Sequence, residues 1–395
     1  MTSALTVAAL CGSVTVLMAA YGIGRHMRLT PLPLAGKIAI PAVFAAIGAA
    51  HFMLLHDGST LPRPFVTDTL PMTALVVSLI FWFFVLTLAA DAVLLVRAFI
   101  RRALGVGPSG RVFPVLVSGM VGLAAVFLGL TSTWNALEDP VREDVTVTVK
   151  GLPAELDGLR LVQISDLHAS NLFPAERTAR VVDMANDVKA DFIFLTGDLA
   201  DGDVRTVEGL SRRTADLAPL AHLKASHGVF AVSGNHEYID GAYRPLTDIL
   251  RDTGIAFLEN ASVRVDVRGR AVTIAGVSDI AAGRVGKPAH NLADALRDAQ
   301  PDDLRILLDH QPKLALEAAC PVHGIDLQLS GHTHGGHTAL LAKLVERMNG
   351  GFVKGLYRLN DTALYVSQGT GFWAGFPVRS NTRNELTVLT IKAAP

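Results

Sequence analysis

The first 137 residues contain four long stretches without a charged side chain: Thr2 to Gly24, Ile38 to Leu55, Thr69 to Ala90 and Val112 to Leu137. Each approaches or exceeds the roughly 18–20 residues with which a helix crosses a bilayer core about 30 Å thick. In such a core every backbone polar group has to be bonded internally, which restricts an apolar run of this length to the helix. Four transmembrane helices are expected, at about residues 4–24, 38–56, 70–96 and 112–134. Composition agrees, since half of the 395 residues are hydrophobic and the mean hydropathy is +0.38, too apolar for an ordinary soluble chain. Met1-Thr2-Ser3 lacks the basic start of a secretory signal, so the first stretch reads as a span.

The loops predict an orientation. Arg25, Arg28 and Lys37 lie in the first connection and Arg97, Arg101, Arg102 and Arg111 in the third, whereas the second has Arg63 beside Asp57 and Asp68. By the positive-inside rule the first and third connections are cytoplasmic and both termini face outward, placing everything after the fourth span outside an inner or plasma membrane. His51 and Asp91 fall in or beside spans, where an ionisable group marks either an ion path or lipid-head pocket, or a side chain reaching the interface. Cys11 sits in the first span and Cys320 in the later region, so no disulfide framework is available to the soluble part.

A short acidic linker is expected over 138–144, with Glu138, Asp139, Glu143 and Asp144, and a second domain over 145–395. Val145 to Val149 alternates with period two as a strand does. Thereafter apolar runs of strand length alternate with amphipathic helical stretches such as Ala175 to Lys189 and Leu210 to Leu223, an α/β pattern. Nearly every one of these runs is followed at once by polar, metal-competent residues: Asp166 and His168 after Leu161 to Ile164, Asp198 and Asp201 after Phe192 to Leu195. Asn235, His236 and Glu237 follow Val229 to Val232, His310 follows Ile306 to Leu308, and His332, His334 and His337 follow Ile325 to Leu329. Open α/β sheets place their sites at such carboxyl ends of strands.

The ordered set D-x-H, G-D-x-x-D, G-N-H-E, H and G-H-T-H, from Asp166 to His334, resembles the calcineurin-like metallophosphoesterase family over roughly Val145 to Leu389. The resemblance implies that the four transmembrane helices read above are followed by an α/β domain of two packed mixed β-sheets flanked by helices. It implies two divalent metal ions, with Asp166, His168 and His334 on one, Asn235, His310 and His332 on the other, and Asp198 shared. A carboxylate, with two oxygens, can span two cations where an imidazole serves one. Such a pair lowers the pKa of a bridging water, so a phosphate ester can be attacked by hydroxide near neutral pH. His236, next to the ligand Asn235, is placed for acid catalysis at the leaving oxygen, with Asp201 and Glu237 as supporting carboxylates and a surface role equally open for Asp201. The ligand set has nitrogen and oxygen but no thiolate, which suits Mn, Fe or Zn.

Substrate contacts are sought in His337, where relatives commonly have Gln, and in the Gly-rich loop carrying Phe372, Trp373 and Arg379. Ala339 to Met348 puts Leu340, Leu341, Leu344, Val345 and Met348 near one helical face, a stripe that packs on a core or lies on lipid. The expected function is hydrolysis of a phosphodiester or lipid-linked phosphate of the cell envelope, with membrane lipids as partners and no protein partner evident. A membrane sensor or transporter regulated by a weakly active or inactive phosphoesterase-like domain is the alternative. Balanced charge, 35 basic against 36 acidic residues, argues against nucleic acid as the main partner.

Overall fold

A computed structural model describes residues 4–57, 60–107, 110 and 112–394; Met1 to Ser3 and Arg111, used above, lie outside the described residues. The chain divides into two compact units, one of residues 2–137 with 374–379, the other of 138–373 with 380–395.

The first unit holds α1 (Ala4–Met27), α2 (Leu34–Asp57), α3 (Arg63–Ala103) and α4 (Val112–Leu137). All four are long and apolar enough to cross a membrane. Their outer faces are apolar too, with Leu17, Leu95, Phe99, Leu123 and Phe127 each more than 60% exposed, as suits a lipid rather than a water boundary. At 41 residues α3 is about 60 Å long at 1.5 Å per residue, well beyond the hydrocarbon thickness. Several polar groups inside this unit are paired. His51 is fully buried, 2.9 Å from Thr73 Oγ1 and 2.9 Å from the Ala374 carbonyl oxygen. Asp91 accepts from Tyr21 at 2.9 Å and from Arg25 at 3.3 Å. His26, which no sequence argument picked out, lies between Ser118 Oγ at 2.5 Å and Thr87 Oγ1 at 2.7 Å. Such interhelical bonds replace the water that these groups lack in an apolar surround.

The second unit is built from β1 (Val141–Val149), β2 (Arg160–Ile164), α5 (Ala175–Asp187), β3 (Phe192–Thr196), α6 (Val207–Leu217), β4 (Val229–Val232), α7 (Tyr243–Asp252), β5 (Ala256–Phe257), β6 (Ala261–Val267) and β7 (Arg270–Gly276). It continues through α8 (Leu292–Ala295), β8 (Leu304–Leu308), α9 (Ala315–Ala318), β9 (Leu327–Ser330), α10 (Ala339–Met348), β10 (Gly355–Leu359), β11 (Thr362–Val366) and β12 (Glu385–Ala393). The strands form two six-stranded sheets, in the orders β1-β12-β2-β3-β4-β5 and β10-β11-β9-β8-β7-β6. Strands β2 to β5 run parallel, as do β7, β8, β9 and β11. Strand β12 lies between β1, to which it is parallel, and β2, to which it is antiparallel.

The continuous apolar runs have a simple cause. Leu161, Phe192, Phe194 and Phe230 point at the second sheet, where they meet Val272, Ile274, Ile306 and Leu329. Their neighbours Val162, Ile164, Ile193 and Leu195 point the other way, onto Val181, Val182, Ala185, Leu246 and Leu250 of the helices. A strand covered on both faces shows no alternation. Strand β1 begins at Val141, so Glu143 and Asp144 belong to a strand and not to a linker. Its first residues pair with β12 through main-chain register, Val141 opposite Glu385, while their side chains stay at the charged sheet edge, where periodicity is invisible.

One ion pair ties the second sheet together. Arg264 on β6 donates two 2.8 Å hydrogen bonds to Asp303, which also accepts from Thr273 Oγ1 at 2.6 Å and Gln300 N at 2.9 Å. The Arg264 bonds, working against burial and helped by Thr273, hold the Asp303 carboxyl down at about 2. A folded pKa below the unfolded value of 3.8 contributes stability that is complete above about pH 4 and is lost as pH falls toward 2. Asp303→Asn is expected to cost about 1–3 kcal/mol at neutral pH by weakening charge-assisted bonds, and to flatten the acid limb between pH 4 and 2. Acid and thermal unfolding followed by fluorescence checks both.

Candidate metal centre

The carboxyl ends of β2, β3 and β4 in one sheet and of β8 and β9 in the other deliver the candidate ligands in turn: Asp166 and His168, Asp198, Asn235, His310, and His332 with His334. The turns are sharply re-aimed. Asp166, His168, Asp198, His332 and His334 have φ between 47° and 69°, a region uncommon for residues with a Cβ, and His337 joins them at 57°. Backbone held there concentrates at functional sites.

Three overlapping groups of ligand atoms result, each with all atoms within 4.8 Å: Asp166, His168 and His334; His168, Asp198 and His236; Asp198, His310 and His332. Asp198 sits at the middle, its Oδ2 3.1 Å from His310 Nε2, 3.9 Å from His168 Nε2 and 4.0 Å from His236 Nε2. Asp166 Oδ1 is 3.7 Å from His334 Nε2. The far ring nitrogens of His310 and His168 are held by acceptors. His310 Nδ1 lies 2.7 Å from the Thr196 carbonyl, and His168 Nδ1 lies 2.8 Å from Asp201 Oδ2. An N–H donated outward fixes the tautomer that leaves the Nε2 lone pair facing the centre.

The fit to cations can be judged from what remains unsatisfied. His168 Nε2, His310 Nε2 and Asn235 Oδ1 are buried and make no hydrogen bond among the described residues. Inward-facing lone pairs around a buried carboxylate are costly in a protein interior unless a cation or proton meets them. Burial, then the neighbouring His310, pushes the His332 imidazole down to about 3, which keeps its lone pair free at neutral pH. The donor set thus fits divalent metals bound by nitrogen and oxygen.

Asp201 does more than an exposed carboxylate would. Its Oδ1 lies 2.6 Å from His236 Nδ1 and its Oδ2 holds His168, so one carboxylate sets both rings. Burial works against the His236 charge, yet Asp201 and then Asp198 raise that imidazole to about 10. The His236 side chain is 15% exposed and its ring centre is 6.1 Å from that of Trp373. Glu237 orients the turn and no imidazole, accepting from the backbone N–H of Asp198 at 3.0 Å, Leu199 at 2.8 Å and Gly234 at 2.6 Å.

The substrate-contact candidates separate. Trp373 stands beside His236, and the His337 ring lies 5.1 Å from His334 and is partly exposed. Phe372 is fully buried, edge-on to Phe173 at 5.1 Å, so it is core packing and not a substrate contact. Arg379 is also fully buried, within the helical unit, with its backbone bonded to Ser132 and Asn135, which removes it from the substrate-facing set. Ser165 escaped sequence reading. Its hydroxyl donates to Asp166 Oδ2 at 2.6 Å, and the only available signal was its place one residue before the D-x-H cluster.

Gly331 is fixed by close approach. A Cβ there would run into Ser165 Oγ and Asp166 Oδ2, while the next N–H, that of His332, donates to the Asp166 carboxylate at 3.0 Å. Gly331→Ala is therefore expected to displace Asp166, cutting metal content to less than half and leaving secondary structure intact. Elemental analysis beside circular dichroism tests this.

Comparison with known proteins agrees with this geometry. The calcineurin-like phosphoesterase family matches residues 159–336. A transmembrane protein with metallophosphoesterase domain from Danio rerio is 35% identical over 266 residues, covering 66% of this chain and 59% of that one. The metallophosphoesterase YkoQ of Bacillus subtilis is 31% identical, over 60% of this chain and 84% of its own length. A metallophosphoesterase of Aquifex aeolicus is 30% identical, over 63% and 91%. The chain spans about three fifths of the Danio rerio relative's length, and more than four fifths of the Bacillus subtilis and Aquifex aeolicus relatives' lengths. With strand-end ligands, two stacked sheets and these relatives in agreement, the chain belongs to the calcineurin-like metallophosphoesterases, and it joins that domain to four apolar helices of membrane-spanning length.

Proposed function

We propose that this chain is a membrane-anchored, metal-dependent hydrolase of phosphate esters, acting on a phosphodiester or lipid-linked phosphate of the cell envelope. The observation that carries the reading is the placement of His236, steadied by Asp201, beside groups of candidate ligands that share Asp198. Asp166, His168 and His334 would hold one divalent ion and Asn235, His310 and His332 the other. When bound, such ions neutralise phosphate charge and make a water nucleophile available near neutral pH.

The chain's own residues then divide the remaining work. Asp201 keeps His236 Nδ1–H engaged, so that Nε2–H is the proton offered to the leaving oxygen. Glu237 holds the Asp198 and Asn235 turns against each other, and Trp373 walls the side of the site next to His236. The loop charges support an extracytoplasmic site, and anchorage supports an amphiphilic substrate, because a tethered enzyme meets lipid-linked esters in two dimensions.

The test uses the full chain in detergent, stripped of metal, with Mn, Fe, Zn or Mg restored, on bis-p-nitrophenyl phosphate and p-nitrophenyl phosphate. Metal-dependent turnover is expected, with the ratio of rates separating diesterase from monoesterase. A folded protein that takes up metal but turns over neither ester, nor a lipid-linked phosphate in vesicles, would sink the proposal. A reporter fused at the C-terminus tests the orientation separately.

A further inference from the structure

Helix α10 follows the candidate ligand His334 by five residues and is fixed to that turn. Thr338 caps it, accepting from Leu341 N at 3.2 Å, and Gly336 lies so close that a Cβ would sit 2.5 Å from Ala342 Cα. A core reading of its apolar stripe would require burial, and no residue of α10 is buried. Leu340, Leu344 and Met348, four residues apart along one face, are 59%, 56% and 62% exposed. Lys343 and Arg347 flank that stripe at its edge, both exposed, with Lys343 reaching Glu346 at 2.8 Å. Elsewhere among the described residues of the phosphoesterase unit, large exposed apolar side chains occur at separate places, such as Val207, Val263, Leu316 and Val322.

We propose that α10 is a lipid-docking helix, which lies at the headgroup and acyl boundary with Leu340, Leu344 and Met348 inserted and Lys343 and Arg347 on anionic headgroups. The occupant is argued from the chain itself. An apolar stripe edged by basic residues is complementary to an anionic bilayer, whereas a second copy would have to accept two more cations against its own. Three residues, 138–140, link α4 to β1, so the phosphoesterase unit is tethered directly to a helix of membrane-spanning length. A helix of 10 residues would bind lipid weakly from solution, but on a tethered, preformed element that weakness is offset by effective concentration. The metal turn would then be held at the bilayer surface through α10.

The test places a fluorophore at Leu344→Cys in the full chain, with Cys11→Ala and Cys320→Ser, reconstituted in vesicles containing phosphatidylglycerol and brominated lipid. The same label at Val207→Cys, on α6 and 90% exposed, serves as the reference. Quenching by brominated lipid is expected to be at least threefold stronger at 344 than at 207, and to fall at least twofold with Lys343→Glu and Arg347→Glu. Equal quenching at the two positions overturns the proposal as general adsorption. Shielding of 344 from both brominated lipid and aqueous iodide overturns it in favour of a protein contact, and free access to iodide overturns it outright. None of these readings uses turnover, so the proposal stands or falls apart from the hydrolase assignment.

Discussion

Asp198→Asn is expected to abolish metal-dependent turnover, by about 10³-fold or more, which corresponds to at least ~4 kcal/mol of lost transition-state stabilisation. Asp198 is the carboxylate common to two of the three ligand groups, with histidines on opposite sides at 3.1 Å and 3.9 Å from one oxygen. Its other oxygen accepts the backbone N–H of His236 at 2.8 Å. Asparagine keeps the shape and tolerates the φ of 52° found here better than most side chains, so the turn should fold. What disappears is the negative charge and one oxygen lone-pair set. An amide can serve one cation through its oxygen, but it offers an N–H₂ to the other, where a ligand is required. Metal content should therefore fall together with activity. A variant with full metal content and turnover within tenfold of the parent would show that Asp198 is a structural carboxylate, and the shared-ligand reading would be wrong.

His236→Ala is the second large effect, and its signature differs. The loss of a positioned general acid typically costs roughly 10²–10⁴-fold, without loss of bound metal. His236 has its Nδ1 held by Asp201 at 2.6 Å and its side chain is 15% exposed, which leaves Nε2 as the ring nitrogen not engaged by Asp201. The penalty should depend on the leaving group. A p-nitrophenolate needs little help in departing, whereas an alkoxide from a lipid or sugar has to be protonated as the P–O bond breaks. Turnover of alkyl esters should thus fall further than that of p-nitrophenyl esters, by at least tenfold. Equal losses for both, accompanied by release of metal, would instead make His236 a ligand, which its group with His168 and Asp198 also permits geometrically.

Much of the centre could be read before any coordinates because open sheets put ligands at strand ends, and each end is announced by an apolar run that stops. Asp166, Asp198, Asn235, His310 and His332 each follow such a stop, and Asp166, Asp198, His310 and His332 fall into overlapping groups although 166 residues separate the first from the last. The failures have equally physical causes. Phe372 and Arg379 sit in a Gly-rich loop, and loop composition does not say which side a ring or guanidinium faces; both face inward. Asp201 was legible as a nearby carboxylate, but its bridging of two imidazoles depends on the turn at Gly197 to Asp201 folding back beside β4. The stripe on α10 has the period of a core helix, and periodicity reports that a face is apolar without reporting what covers it.

Strand β12 occupies an interior place in its sheet, between β1 and β2, although it follows both by more than 200 residues in the chain. Until it has been made β1 and β2 have no neighbour in common, and the outer edge of β2, the strand that leads into Asp166 and His168, is an unpaired row of backbone groups. The four apolar helices, made first, are already available to the membrane while this gap persists. Closure of this sheet behind the metal centre thereby waits until β12 has been made. A chain truncated before Glu385 would present the β2 strand edge, unpaired, to a chaperone or a neighbouring chain.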